Sequence, residues 1–185
     1  LGADRSIQLT DDVLAGSDVQ ATGYALAKVL ERENPDLVLL GQQSDDGACY
    51  TIGAIVADHL KMPSLTQVIK MEVIDGGLRC ERQAEYGYDT IEVELPAVIS
   101  VGDAINVPRY PTLKAIMSAK KKPLEKVTAA DVGIDPSRVG AEGSQVQCGD
   151  FKAPPAKAAG TIFEDEDTNE TVEKIVAWLD ERKLI

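Results

Sequence analysis

Two spacings of apolar residues alternate along the first hundred positions, and they set the order of the elements. "SIQL", Ser6 to Leu9, reads as a short strand. In "SDVQATGYALAKVLERENPD", Ala25, Leu26, Val29 and Leu30 recur at helical spacing, and Ser17 with Gln20 has the spacing of a capping box. Pro35 stops that helix, because the residue before a proline resists the α conformation. "DLVLLG", Asp36 to Gly41, is an apolar run between turn signals, the pattern of a strand buried on both faces. A polar loop from Gln42 to Tyr50 follows. Ile52, Ile55, Val56 and Leu60 then mark the buried face of a helix over Thr51 to Leu60, which Met62–Pro63 ends.

Further along, alternation takes over. "SLTQVIKMEV" reads as a strand, and Asp75 to Gly77 gives a hairpin turn. "LRCERQ" and "TIEVEL" form two arms of another hairpin with "AEYGY" at its tip, and "PAVISVG" is one more short strand. "TLKAIMSA" is a short helix, and "KKKPLEKVTAADVGID" a strand and turn. Residues 140 to 160, rich in Gly, Ala, Pro and Lys, read as an extended arm. Asp167 and Glu170 can cap a last helix with Val172, Ile175, Val176 and Leu179 on its apolar side and Trp178 beside them. The expected fold is α/β: a mostly parallel sheet with helices on both faces in three layers, an antiparallel hairpin extension, and a C-terminal arm ending in a helix. The expected division is an α/β nucleotide-binding domain over 1–139 and an arm plus helix over 140–185 that packs on another chain.

Charge narrows the partners. A formal net charge of −12 argues against a grip on nucleic acid, which needs clustered Lys and Arg. Cys49, Cys80 and Cys148 are too few and too scattered for a disulfide framework, and with His59 as the only histidine and no C-x-x-C pair no zinc site is expected. No apolar run approaches the ~20 residues of a membrane span. The expected location is a bacterial cytoplasm or a mitochondrial matrix.

Candidate chemistry sits in "LLGQQSDDGACYTIGAIV". In parallel α/β sheets, ligands lie beyond the carboxyl ends of strands, where this loop stands. The first turn of the following helix offers free N–H groups and a partial positive charge, which receive a phosphate without any lysine. Gly47 and Gly53 would let the backbone approach closely. Of Asp45 and Asp46, one can cap the helix and the other can accept hydrogen bonds from ribose hydroxyls or an adenine amine. Alternatively, Ser44 and Asp46 merely cap the helix. Neither G-x-x-x-x-G-K-[ST] nor G-x-G-x-x-G is present. The candidate nucleotide-binding residues are Gly41, Gln43, Ser44, Asp46, Gly47, Cys49, Tyr50, Thr51, Ile52 and Gly53.

Several segments, in order, resemble the β subunit of electron transfer flavoprotein: "GADRSIQL", "PDLVLLGQQSDDGACYTIGAIVADHLKMPSLTQV", "CERQAEYGYDTIEVELPAVISV", "VTAADVGID", and most specifically "INVPRYPTLKAIMSAKKKP". The resemblance runs over nearly the whole chain and is looser in the arm. Family chains carry strand–helix units before G-A-D-R, so the first strand of the sheet is expected to be missing here. Tyr50, Thr51 and Ile52 stand where many members have an Asn-Gln or Gln-Val pair, which leaves backbone N–H groups as the expected phosphate ligands.

The resemblance implies a heterodimer in which the α subunit holds most of the FAD site and this chain braces it, its C-terminal helix packing on that partner. It implies an AMP here without redox chemistry, and no catalytic residue. In flavin-bifurcating relatives a second FAD takes that place. It further implies a loop, Asp103 to Pro111, that anchors flavin-containing dehydrogenases through Ile105, Asn106, Val107, Pro108, Arg109 and Tyr110, with electrons passed on to a quinone reductase or similar acceptor. Ile105 would be held outward by its proline-bearing turn or, on the residues alone, buried beneath it. Arg109 and Tyr110 could equally pin the loop. A stand-alone adenine-nucleotide-binding stress-type protein is the alternative from another class.

Overall fold

In chain order the strands are β1 (Ser6–Leu9), β2 (Leu37–Gly41), β3 (Ser64–Ile74), β4 (Gly77–Ala84), β5 (Gly87–Glu94), β6 (Ala97–Val101) and β7 (Leu124–Val127). The α-helices are α1 (Val19–Glu33), α2 (Ile52–Leu60), α3 (Leu113–Ala119), α4 (Gly140–Gly143) and α5 (Thr168–Glu181). They come from a computed structural model that describes all residues except 148, 150, 151, 158, 165 and 166. The chain forms two compact units, Leu1–Cys148 and Gly149–Ile185.

In the first unit the main sheet has the order β2-β6-β3-β4-β5, and β1 pairs with β7 in a separate two-stranded sheet. The β1–β7, β2–β6 and β3–β6 pairs are parallel, while β3–β4 and β4–β5 are antiparallel. This is the expected mostly parallel α/β fold with an antiparallel extension. Strand β3 serves both parts. Its register shifts between Leu65 and Val68, where Gln67 takes a φ of 56°, and beyond that bulge the strand turns away to pair with β4.

Apolar side chains gather in three places. Helix α2 lays Val56 and Ala57 on Val38 and Val98, with Leu30 of α1 closing the cluster. Leu65, Val68, Leu78, Cys80, Ala97 and Ile99 form a second cluster. Tyr24 and Ala25 of α1 meet Ala129, Ile134 and Val139 in a third. Helix α1 therefore belongs to two cores at once. Its crossing with α2 is close: a Cβ on Gly23 would lie 2.4 Å from Ile55 Cγ2.

The expectation that Asp36–Gly41 is a strand buried on both faces is corrected. Strand β2 lies at the edge of the sheet, with Val38 buried and Leu39 54% exposed. Central β6 is the strand covered on both sides, with Ala97 to Ser100 all buried. An apolar run reports burial of side chains, and two strands with similar runs can differ in whether a neighbour completes it.

The cap of α1 also differs from the capping-box expectation. Asp18 is the N-cap, and its carboxylate accepts from the Ala21 N–H at 2.9 Å. The Ser17 hydroxyl instead donates to the Leu14 carbonyl and accepts from the Gly140 N–H, each at 2.7 Å. That second bond belongs to a set that ties residues 140–146, read from composition as the start of the arm, to the beginning of α1. Ala141 donates its N–H to the Ala15 carbonyl at 3.1 Å. The Asp18 N–H donates to Ser144 Oγ at 2.8 Å, and the N–H groups of Gln145 and Val146 donate to Asp18 Oδ2 at 2.7 and 3.1 Å.

In the second unit, Asp167 caps α5 as expected, accepting from the N–H groups of Asn169 and Glu170. Val172, Ile175, Val176 and Trp178 are each about half exposed, and the Arg182 guanidinium lies 4.1 Å from the Trp178 ring centre. Among the described residues, no helix is long and apolar enough to cross a membrane.

Candidate functional site

The loop after β2 does not cap α2. Asp46 Oδ1 accepts from the Gly47 N–H at 2.7 Å, Ser44 Oγ accepts from the same group at 3.3 Å, and the Ala48 N–H donates to the Ser44 carbonyl at 3.0 Å. The loop is thus closed on itself by a tight turn over Ser44–Ala48. The Ser44 hydroxyl, and after it the Gly47 N–H, hold the Asp46 carboxyl below the usual carboxylate range. The reading in which Ser44 or Asp46 caps the helix is corrected: Thr51 is the N-cap, in helical conformation, and makes no side-chain capping bond.

That leaves the first turn of α2 without a side-chain acceptor, and it opens on a cleft of about 370 Å³. One wall carries Ser44, Asp46, Gly47, Cys49 and Ile52 from the loop and helix start. The other carries Ser17, Asp18, Val19 and Thr22. Val19 and Ile52 are the first residues of α1 and α2, so two helix N-termini converge here. They differ in electrostatic state. The Asp18 carboxylate already meets the positive end of α1, and the Ala21 N–H, helped by those of Gln145 and Val146, lowers its pKa against the opposing effect of burial. The positive end of α2 has no such counter-charge from a cap and is the end free to receive an anion. Around it, the hydroxyls of Ser17, Thr22 and Ser44 and the carboxylates of Asp18 and Asp46 supply acceptors for hydroxyl or amine protons. An anionic group at one end and a hydrogen-bond-donating body at the other match this arrangement.

Of the residues singled out in the sequence, Ser44, Asp46, Gly47, Cys49 and Ile52 line the cleft. Gly41, Gln43, Tyr50, Thr51 and Gly53 are not among the lining residues, and Tyr50 is 51% exposed. Gly53 has a different use from the one expected: a Cβ there would point at Leu40 Cδ1 (3.5 Å) and Ser100 Cβ (3.7 Å), toward the sheet. The wall from Ser17 to Thr22 was missed. Its signal was available, because the turn after β1 also follows the carboxyl end of a parallel strand. Cys49 is free and exposed. Cys80 is free and buried, and desolvation raises its thiol pKa. Cys148 lies outside the described residues. No group of three or more His, Cys, Asp or Glu side chains able to hold a metal occurs among the described residues.

The second candidate segment follows β6. A 3-10 turn over Asp103–Ile105 packs Ile105, half-buried, against the cluster around Leu65 and Ile99, so its side chain is not held outward. The turn is closed by the Ile105 N–H on the Gly102 carbonyl at 3.2 Å. At Asn106 the backbone is extended, and beyond it the side chains turn out: Val107 is 91% and Tyr110 97% exposed. Tyr110 therefore does not pin the loop, whereas Arg109 Nη2 donates to the Leu1 carbonyl at 3.3 Å. Thr112 caps α3 through the Ala115 N–H, and Leu113 and Met117 add further exposed apolar surface beside Lys114 and Lys121.

The chain's family follows from its likeness to known proteins. The family model described as electron transfer flavoprotein domain matches residues 1–132. The electron transfer flavoprotein subunit beta of Mycobacterium tuberculosis (strain ATCC 25618 / H37Rv) is 42% identical over 188 aligned positions, which take in 100% of this chain and 69% of that protein. The subunit of the same name from Thermoanaerobacterium thermosaccharolyticum is 37% identical, with 100% of this chain and 71% of the relative covered. A protein named caffeyl-CoA reductase-Etf complex subunit CarD, from Acetobacterium woodii, is 34% identical over the same shares.

Proposed function

Since the chain belongs to the electron transfer flavoprotein β-subunit family, we propose that it works as the β half of a heterodimeric electron carrier, holding AMP structurally, bracing the FAD-bearing α subunit and anchoring partner dehydrogenases. The observation that carries the nucleotide part is the cleft whose lining joins Ile52, at the start of a helix without a side-chain cap, to the hydroxyls of Ser17, Thr22 and Ser44 and the carboxylates of Asp18 and Asp46. The phosphate of AMP would take the N–H groups at the start of α2. The ribose hydroxyls and the adenine amine would donate to the oxygens of Ser17, Asp18, Thr22, Ser44 or Asp46. FAD, when bound by the α subunit, supplies the redox chemistry. This chain contributes binding and orientation, with no catalytic residue of its own.

For anchoring, the supporting feature is the stretch from Asn106 to Met117. Val107 and Tyr110 stand out from the segment that follows half-buried Ile105. An apolar anchor on a stiff support loses little entropy on docking, which leaves the rest of the assembly free to sample electron-transfer distances. The dehydrogenases donate to the flavin, and a quinone reductase or similar acceptor withdraws the electrons. The setting is a bacterial cytoplasm or a mitochondrial matrix. Acid denaturation of the purified complex, with mass analysis of what is released, tests the nucleotide reading: one AMP per β chain is expected. Two FAD per heterodimer and no AMP would move the second flavin into this cleft, and release of no adenine nucleotide beyond a single FAD would end the reading.

A further inference from the structure

The cleft and the point where the chain leaves the first unit share a residue. Asp18 lines the cleft, and its two carboxylate oxygens divide their work. Oδ1 accepts from the Ala21 N–H and so caps α1, while Oδ2 accepts from the N–H groups of Gln145 and Val146 at 2.7 and 3.1 Å. The Asp18 N–H answers in the other direction, donating to Ser144 Oγ. Ser144 Oγ also lies 2.7 Å from the Gly140 carbonyl and 2.9 Å from the Gly16 carbonyl, to either of which it can donate. Three hydrogen bonds thus fasten residues 144–146 to the residue that forms one wall of the ligand space. Gln145 and Val146 are otherwise exposed, so water competes for the acceptor whenever it can reach Asp18.

We infer that Asp18 couples the cleft to the Ser144–Val146 clasp, so that a nucleotide in the cleft tightens the root of the C-terminal arm. This rests on the nucleotide reading above. A ligand that fills the cleft removes water from one side of the carboxylate and restricts its rotation. Hydrogen bonds to a charged acceptor strengthen as local water is excluded. Coupling of this kind is reciprocal: whatever loosens the clasp must weaken nucleotide binding by the same factor.

The chemistry of the carboxylate supplies a selective variant. In Asp18→Asn the amide oxygen can still accept from the Ala21 N–H, and Asn is a good N-cap. Its NH2 group would then face two N–H donors, so the clasp opens while the helix keeps its start. Ser144→Ala loosens the clasp from the far side, at a residue that does not line the cleft.

The test is hydrogen–deuterium exchange on the full chain in complex with its α subunit, after exhaustive dialysis and again at saturating AMP, with AMP affinity measured by calorimetry on the same samples. In the unmodified protein the Gln145 and Val146 amides should slow by about fivefold or more on AMP addition, the lower end of ordinary coupling between two sites. In D18N that response should vanish at saturation although the exchange of α1 is unchanged, and S144A should weaken AMP binding. AMP binding that leaves Gln145 and Val146 exchange unaltered would overturn the coupling while sparing the nucleotide reading, and so would a D18N variant that keeps the full response. Absence of any AMP binding would overturn both.

Discussion

Substitution of Gly23 by alanine gives a test in which two physical effects have opposite sign and the structure decides between them. Within a helix, Gly→Ala by itself stabilises by about 0.5–1 kcal/mol, because alanine loses less backbone freedom on folding. At this position the added Cβ would lie 2.4 Å from Ile55 Cγ2, 3.1 Å from Ile55 Cβ and 3.7 Å from Ile52 Cδ1. Carbon atoms rest at about 3.5–4.0 Å, so α1 and α2 would have to separate by roughly 1 Å or Ile55 would have to change rotamer. A β-branched residue in a helix has essentially one χ1 well, which closes the second route. Overpacking of this kind costs about 1–3 kcal/mol. The net expectation is a loss of about 1–2 kcal/mol, or a fall of about 0.5–1 M in the urea midpoint for a slope near 2 kcal/mol/M. Because both helices begin at the cleft, AMP affinity should fall as well. Removing the obstructing methyl should restore part of the loss, so a cycle of G23A with Ile55→Ala should show favourable coupling of about 1 kcal/mol. An unchanged slope with a raised midpoint in G23A alone would mean that helix propensity wins and the close crossing does not exist.

Gly53→Ala should behave in the opposite way: its Cβ meets only ordinary contacts at 3.5 and 3.7 Å on the sheet side, so stability should hold or rise by a few tenths of a kcal/mol and released AMP should stay at one equivalent. Val107→Asp and Tyr110→Ala, at residues 91% and 97% exposed, should leave the thermal midpoint within about 1 °C and slow electron uptake from a partner dehydrogenase in a stopped-flow assay; unaltered uptake in both would remove the anchoring role. Acid should destabilise the protein through carboxylates depressed in the folded state, among them Asp18, Glu33, Asp89, Asp131 and Asp135. Their contribution is fully present above the unfolded range near pH 4 and is lost as pH falls through the lower folded values. Urea midpoints from pH 7 to 2 should therefore be flat at first and decline only below about pH 4. Asp131→Asn, which weakens the acceptor for the Thr128 N–H and hydroxyl, should reduce that decline.

Much of the architecture was legible because period and punctuation agree. Pro35 and the polar tail before it mark the end of α1, and the spacing of Ile52, Val56 and Leu60 locates α2. The "DGG" and "AEYGY" turns place the antiparallel ribbon, which in the structure turns on only Asp75–Gly76 and Glu85–Tyr86. What remained hidden depends on contacts between distant residues. Ser17 and Asp18 are both good N-caps, and nothing local says that Ser17 is drawn off by Gly140 while Asp18 takes the helix. The composition of 140–146 suggests an arm, yet its polar atoms are spoken for by Ala15, Ser17 and Asp18, more than a hundred positions earlier. For Ile105 the residues leave two placements open, outward or beneath its own turn, and the 3-10 turn over Asp103–Ile105 lays the side chain on the cluster around Leu65 and Ile99. For the ligand space, the strand-end rule holds for β1 as well as for β2: the two walls follow the carboxyl ends of two parallel strands.

The two rims of the main sheet are chemically unlike. On the β5 side, Asp89, Glu92 and Glu94 punctuate the outermost strand, and Arg79 and Arg82 are already paired with Glu92 and Asp89 from within. A second copy approaching there meets surplus negative charge, the usual defence of an open edge. The β2 rim, Leu37 to Gly41, carries no charge at all, and Leu39 lies half bare beside it. A strand laid against β2 would thus meet apolar side chains, whereas one laid against β5 would meet carboxylates.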